Sequence, residues 1–394
     1  MAWWKYVLFI TVTVAAYAGL LFWFARRFVR FLPLTVRRRG WILGALVALY
    51  PIIYLFRRVD RVTRFEHLEG VLAGFYVVMV FFLILAFFVL ARDLLWWAAL
   101  GVDRGLVRFA GRRALPEAPE KRQKLLQHST LAVTGLAAVL LALGVYQALA
   151  PPVVREVTVR DDRLPPGLDG LRIAVVSDLH VGPTLGREHV ARVVRALNAQ
   201  DADLVVIVGD LVDGPWEAVE PMLAPLRELN QPAFFVSGNH ELYWGWPDWR
   251  TGLTALGLTV LSNDSRAFER DGARWLLGGI PDRQRWSGGP QPKDPGPGLS
   301  LRDAPPADYR ILLAHRPTTA PAAAEAGYHL MISGHTHGGQ FFPLTLLSPH
   351  LPGGGAGLSR HGALRVFVTA GAGFWGPPVR LFNPPEVVVL TLRR

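Results

Sequence analysis

The sequence predicts two parts, a helical membrane-spanning region over residues 1–150 and an α/β domain over residues 151–394. Three observations carry that division. Four apolar runs crowd the first part. Charge is shared unevenly, with 19 Lys+Arg against 7 Asp+Glu up to Ala150 and 23 against 24 beyond it. From Pro151-Pro152 onward, short β-branched runs alternate with helix-like stretches, the pattern of layered α/β structure.

At 51% hydrophobic and 19% charged, the chain is more apolar than an ordinary soluble protein and far more so than a disordered one. The absence of cysteine excludes a disulfide framework, a thiolate metal site and a cysteine nucleophile. The formal net charge of +11 would suit a nucleic-acid partner if it lay on the second part. It lies instead among the apolar runs, where it reads as membrane orientation, and no nucleic-acid partner is expected.

The runs are Trp3–Ala25, Trp41–Phe56, Val71–Ala91 and Leu131–Ala150. Crossing ~30 Å of hydrocarbon takes about 20 apolar residues. The first, third and fourth runs reach that length. The second is shorter and holds Pro51, so it spans only if Arg38, Arg39, Arg57 and Arg58 snorkel; a re-entrant or buried helix is its alternative. Trp3, Trp4, Trp41, Trp96 and Trp97 stand at run ends, as interfacial aromatics do. The first run is too long for a cleaved signal peptide, with only Lys5 in front and Arg26-Arg27 behind. Loops 25–40 and 92–128 carry six and eight basic residues, whereas the N-terminus, 57–70 and 151–170 carry one, four and three. The expectation is a multi-pass protein of the cytoplasmic membrane with four spans, both termini outside and an extracytoplasmic α/β domain. No charge stands in the middle of a run, which leaves a transport pathway without a carrier. Residues 92–128 read as an amphipathic interfacial helix or a solvated helical loop.

In the second part, what ends each β-branched run is informative. Ile173–Ser177 leads into Asp178 and His180, and Leu204–Val208 into Asp210 and Asp213. Ala233–Val236 leads into Asn239, His240 and Glu241, Ile311–Ala314 into His315, and Leu330–Ser333 into His335 and His337. Ligands of open α/β sheets gather at the carboxyl ends of strands. Oxygen and imidazole donors without sulfur suit divalent metals such as Mn, Fe or Zn. Gly209, Gly238 and Gly334 let the backbone turn close beside such a site.

The series Asp-x-His, Gly-Asp-x-x-Asp, Gly-Asn-His-Glu, His and Gly-His-Thr-His resembles the calcineurin-like metallophosphoesterase superfamily, in its order, over residues 171–340. Leu164–Ile173, Gly334–Gln340 and Phe374–Glu386 resemble its membrane-associated bacterial branch, a likeness shared by vertebrate transmembrane proteins that carry this domain. The resemblance implies a two-sheet sandwich flanked by helices and a site for two divalent ions. Asp178, His180, Asp210 and His337 would hold one ion; Asp210, Asn239, His315 and His335 would hold the other, with Asp210 bridging. It further implies that His240 is the general acid, and Asp213 is placed to orient it.

The expected activity is metal-dependent hydrolysis of a phosphodiester or pyrophosphate bond in a lipid-linked or cell-envelope substrate. Relatives by resemblance include cell-envelope phosphodiesterases and UDP-diacylglucosamine pyrophosphatases. The alternatives are a phosphomonoesterase and, from another class, a membrane sensor or scaffold whose soluble domain binds nucleotide without turnover. His189 and His329 read as core or surface residues, and His350 and His361 as solvated loop residues beside Gly353–Gly355. Residues 283–307, rich in Pro and Gly, read as a flexible excursion. Arg316 would pair either with a phosphate or with a structural acid. Residues 341–351 are apolar, and Phe341, Leu344 and Leu347 either pack beneath the glycine-rich loop or form a lip facing the bilayer.

Overall fold

The computed structural model describes residues 19–20, 22–48, 69–182, 184–283 and 295–394. It divides into two compact units, Met1–Leu143 and Gly144–Arg394. In the first unit, residues 22–27 and 36–48 are helical and two long helices follow, α1 (Glu69–Ala110) and α2 (Pro119–Leu149, which ends in the second unit). Gly70–Ala110 and Pro119–Leu149 are long and apolar enough to cross a membrane, judged by length and composition. They contain the runs at 71–91 and 131–149. Most of the run at 3–25 and the later half of the run at 41–56 lie outside the described residues.

Residues 92–110 form neither a separate interfacial helix nor a loop, as the sequence suggested, but continue α1 without a break. The charges that follow the apolar run do not end the helix because they are satisfied side by side. Arg92 donates to Asp93 at 2.7 Å, to Thr130 Oγ1 at 2.7 Å and to the Arg27 carbonyl, and Arg27 Nε donates to Asp93 at 2.5 Å. At ~1.5 Å per residue, the 42 residues of α1 reach about 63 Å, roughly twice the thickness of bilayer hydrocarbon. The turn into α2 is held by Asp103, which accepts the Ala114 and Leu115 amides at 2.7 and 2.9 Å.

The second unit is a sandwich of two six-stranded sheets. Its strands are β1 (Val153–Arg160), β2 (Arg172–Val176), β3 (Leu204–Val208), β4 (Ala233–Val236), β5 (Thr259–Val260) and β6 (Asp264–Arg270). They continue with β7 (Ala273–Gly279), β8 (Tyr309–Leu313), β9 (Leu330–Ser333), β10 (Gly357–His361), β11 (Leu364–Val368) and β12 (Glu386–Arg393). The first sheet runs β1-β12-β2-β3-β4-β5 and the second β10-β11-β9-β8-β7-β6. β2 to β5 are parallel, as are β7, β8, β9 and β11, so each sheet collects its carboxyl ends at one edge.

The β-branched runs are apolar on both faces because both faces are covered. Ile173, Val175, Val206 and Val208 point between the sheets, against Leu277, Ile311, Leu313 and Ile332. Their neighbours Ala174, Val176, Val205 and Ile207 point the other way, onto Val190, Val193, Val194 and Trp249 of the flanking helices α3 (Arg187–Asn198) and Trp246–Ala255. Leu312 and Met331 do the same for the second sheet, against Ala320 and Ala323. This double burial fixes the strand ends firmly, and the chain leaves each of them into a ligand-bearing turn.

Candidate metal centre

Five strand ends deliver their polar residues to one place. Asp178 and His180 follow β2, Asp210 and Asp213 follow β3, and Asn239 and His240 follow β4 from the first sheet. His315 after β8 and His335 and His337 after β9 come from the second. Three groups of side chains lie with their ligand atoms within 4.8 Å of one another: Asp178 with His180 and His337, His180 with Asp210 and His240, and Asp210 with His315 and His335. Asp210 belongs to two of them.

The turns are made by the functional residues themselves. Asp178, His180, Asp210, His335 and His337 all have positive φ, between 48° and 72°. Left-handed backbone costs a side-chain-bearing residue about 1–2 kcal/mol, and such strain gathers where geometry is held for a purpose. The neighbouring glycines make room for the ligands as much as for an ion. A Cβ on Gly238 would overlap the Asp210 carboxylate, and one on Gly334 would overlap Ser177 Oγ and Asp178 Oδ2.

The polar geometry is dense. His180 Nε2 faces His337 Nε2 at 3.1 Å, and Asp178 Oδ1 lies 3.4 Å from His337 Nε2. His315 Nε2 lies 3.1 Å from Asp210 Oδ2 and 3.2 Å from His335 Nδ1. His315 Nδ1 is turned to the Val208 carbonyl at 2.7 Å, which leaves Nε2 for the centre, the usual arrangement behind a metal-binding imidazole. Asn239 is buried beside them.

Burial and crowding push the imidazoles apart in acidity. Burial works against a charge on His315, but Asp210 outweighs it and holds the ring up to about 10. Burial, with His315 and Arg316 adding to it, pulls His335 down to about 3, and burial with His180 and Arg380 holds His337 well below its ordinary value. His335 and His337 therefore present neutral ring nitrogens, while His315 is held as a cation against Asp210. The buried His180 Nδ1 has no hydrogen-bond partner. Nitrogens facing one another across 3.1–3.2 Å and a sulfur-free donor set both fit a divalent cation.

Beside the cluster, His240 Nδ1 meets Asp213 Oδ1 at 2.6 Å while its Nε2 lies 3.9 Å from Asp210 Oδ2. Burial opposes a charge on His240, yet Asp210 and then Asp213 raise it to about 9. The rings of Tyr243 and Trp375 stand edge-on to it at 5.2 and 6.2 Å.

Several contributors escaped the sequence reading. Glu241 is fully buried and its carboxylate accepts the amides of Asp210, Leu211 and Gly238 at 3.2, 2.7 and 2.7 Å, tying two ligand turns together. Arg380, also fully buried, reaches His337 Nδ1 at 3.1 Å and the Ala370 carbonyl at 2.8 Å. Its signal was the Pro-Pro-Val-Arg run, which the sequence offers without a partner. Arg316 does not choose between its two readings. It pairs with Asp282 at 2.7 Å and also aims Nη1 at His335 Nε2 and Nη2 at Asn239 Oδ1, at 3.0 and 3.1 Å.

The remaining candidates stay outside the cluster. His189 is buried in α3, His329 stacks on Tyr309 at 4.7 Å, and His350 and His361 are exposed. Within the excursion, residues 284–294 lie outside the described residues, and a single turn forms at Leu299–Leu301. Phe341 is 5% exposed and belongs to the core rather than to a lip, because it emerges just after Gln340 and pairs with Leu381. Leu344, Leu346, Leu347 and Leu351 are 37%, 51%, 59% and 61% exposed.

Comparison with known proteins agrees with this geometry. Residues 171–339 match the calcineurin-like phosphoesterase family. The chain is 34% identical over 290 residues to a transmembrane protein with metallophosphoesterase domain of Bos taurus, covering 70% of this chain and 64% of that one. It is 36% identical over 256 residues to an uncharacterized metallophosphoesterase of Helicobacter pylori strain J99, covering 63% and 66%. It is 30% identical over 257 residues to an uncharacterized metallophosphoesterase of Aquifex aeolicus strain VF5, covering 64% and 96%. The chain thus spans just under two thirds of the bovine and Helicobacter relatives and nearly all of the Aquifex one. Matched motifs, an Aquifex relative covered almost whole and converging donors have one reading: the chain belongs to the calcineurin-like phosphoesterase family.

Proposed function

We propose that this chain is a membrane-anchored phosphohydrolase that uses two divalent ions to cleave a phosphodiester or pyrophosphate bond in a lipid-linked or cell-envelope substrate. The observation that carries the reading is the convergence of Asp178, His180, Asp210, His315, His335 and His337 into overlapping donor groups linked through His180 and Asp210. Asp178, His180, Asp210 and His337 would hold one ion; Asp210, Asn239, His315 and His335 would hold the other. When bound, Mn, Fe or Zn supplies polarisation of the phosphoryl oxygens and a water acidic enough to ionise near neutral pH.

The protein's own groups supply the rest. Asp213 accepts the Nδ1–H of His240, which fixes the ring and leaves Nε2 to give a proton to the leaving oxygen. Tyr243 and Trp375 flank that imidazole and limit the water around it. Arg316, steadied by Asp282, holds a guanidinium at the edge where phosphate charge would lie.

Two long apolar helices and relatives described as transmembrane proteins support membrane association. The basic loops support four spans in the cytoplasmic membrane and an extracytoplasmic α/β unit. The exposed leucines just beyond His335 and His337 favour a lipid-linked substrate, since a soluble-substrate enzyme gains nothing from four of them there. The test is hydrolysis by the purified full-length chain in Mn²⁺. Bis-nitrophenyl phosphate, a nitrophenyl monoester and UDP-diacylglucosamine would be compared. Turnover of the diester and the lipid-linked pyrophosphate above the monoester is expected. Turnover of none of them with Mn²⁺, Fe²⁺ or Zn²⁺ would end the enzymatic reading.

A further inference from the structure

The first unit holds a cavity of about 380 Å³ that the hydrolytic site does not use. Its walls come from three segments: Arg30 and Phe31, Trp96 and Leu100 on α1, and Arg122, Gln123 and Leu126 at the start of α2. Leu100 follows Trp96 by four residues and Leu126 follows Arg122 by four, so each helix turns one face to the cavity. No acidic residue lines it among the described residues.

The charges behind the cavity are also unbalanced. Phe31 has two guanidiniums against its ring, Arg30 at 5.9 Å and Arg92 at 5.8 Å from the centroid. Arg92 and Arg27 share the single carboxylate of Asp93. Asp103, which feels the Arg122 charge, is already engaged by the Ala114 and Leu115 amides. Arg122 itself gives only Nε to the Pro116 carbonyl, at 2.6 Å. Arg27 and Arg92 thus share one carboxylate, and neither Arg30 nor Arg122 forms an ion pair among the described residues. Cations held this way call for an anion, and Arg presents its planar fork to phosphate oxygens.

Depth selects the kind of anion. Arg92 follows the 21-residue apolar stretch 71–91, about 31 Å of helix, which equals the hydrocarbon thickness. Trp96, one turn further on, lies where tryptophans anchor at the bilayer interface. The wall pairs guanidiniums with Phe31, Trp96, Leu100 and Leu126, so it offers both charge and apolar surface. A headgroup phosphate with its glycerol and first acyl carbons has that same division.

We propose that this cavity binds the phosphate headgroup of an anionic phospholipid, with Arg30 and Arg122 on the phosphate and Trp96 against the glycerol. The proposal rests on the membrane placement given above. The test uses the full-length chain in detergent with mixed micelles of phosphatidylcholine and phosphatidylglycerol, reading retained lipid by native mass spectrometry. Phosphatidylglycerol should be retained in preference, and Arg30→Gln with Arg122→Gln should cut that preference by about tenfold or more. Arg104→Gln with Arg108→Gln removes equal charge from α1 outside the cavity and should leave the preference intact. Gln123→Glu, an exposed change at the rim that tests the site even if the double variant fails to fold, should weaken it too. Equal retention of both lipids overturns the proposal, as does equal loss in both double variants or displacement by matched glycerol 3-phosphate, which would make it a site for soluble phosphate. Cell fractionation separates the two ideas: a chain found only in the soluble fraction ends the membrane reading, whereas the micelle result decides the cavity alone.

Discussion

Asp213 joins two histidines: its Oδ1 lies 2.6 Å from His240 Nδ1 and its Oδ2 lies 3.6 Å from His180 Nδ1. One carboxylate outside the donor groups therefore bonds the proposed proton donor and stands beside a ring proposed to face an ion. Because Asp213 sustains the charge on His240, its removal acts on acidity before it acts on shape.

The first expectation concerns that acidity. His240 is raised to about 9, so the proton needed by a poor leaving group stays in place through neutral pH and is lost as pH rises through that value. Asp213→Asn removes a raising charge and should bring the alkaline fall in rate to lower pH. His240→Ala should slow an alkyl diester far more than a nitrophenyl diester, whose leaving group needs little help. Both profiles are read by steady-state assays from pH 6 to 10. Equal slowing of both substrates would make His240 a structural residue.

Asp210 is the second. It lies in two donor groups, 3.1 Å from His315 Nε2, and its Oδ1 also accepts the His240 amide at 2.9 Å. Asp210→Asn should lower kcat by more than the roughly 100-fold upper range seen when outer partners of metal ligands are lost, and by more than Asn239→Ala does. Mild and equal losses in the two variants at saturating Mn²⁺ would argue against sharing.

Glu241 offers a stability test. Its carboxylate serves three buried amides, so Glu241→Ala leaves them without an acceptor and should cost about 2–3 kcal/mol, read as a lower urea midpoint for the full chain. Glu241→Gln keeps one acceptor oxygen and should fall between. A variant as stable as the wild type would mean the two turns hold themselves.

The lip also divides cleanly. Leu346, Leu347 and Leu351 are exposed, so their replacement by Ser should raise KM for a long-chain substrate about tenfold and leave a short soluble diester nearly unchanged. Phe341→Ser should instead lower stability by roughly 3 kcal/mol, because that ring is buried. Matching effects on both substrates would remove the leucines from substrate binding.

Much of this was legible from the sequence because ligands sit one to four residues past runs whose burial on both faces fixes where they end. Val208 and Ser333 needed no partner to be read as strand ends, and the run read to Ser177 ends one residue earlier, at Val176. What stayed hidden depends on pairing through space. Asp282 and Arg316 are separated by a Pro- and Gly-rich stretch, and Arg380 meets His337 from 43 residues away. The end of α1 was misplaced for the same reason. Arg92 and Asp93 look like a helix boundary until Arg27 and Thr130 are seen to satisfy them. Phe341 was left open between core and lip because an apolar run says that side chains avoid water, not whether they do so in the core or against another apolar surface.

The most direct test of the account is metal content set against turnover in one preparation. The purified full-length chain, stripped by chelation and titrated with Mn²⁺, should take up about two ions per chain, with hydrolysis of bis-nitrophenyl phosphate appearing as they bind, while Asp210→Asn should take up fewer and stay inactive. Turnover that persists in the stripped protein, or a wild-type chain that binds no Mn²⁺, Fe²⁺ or Zn²⁺ at stoichiometric levels, would contradict it.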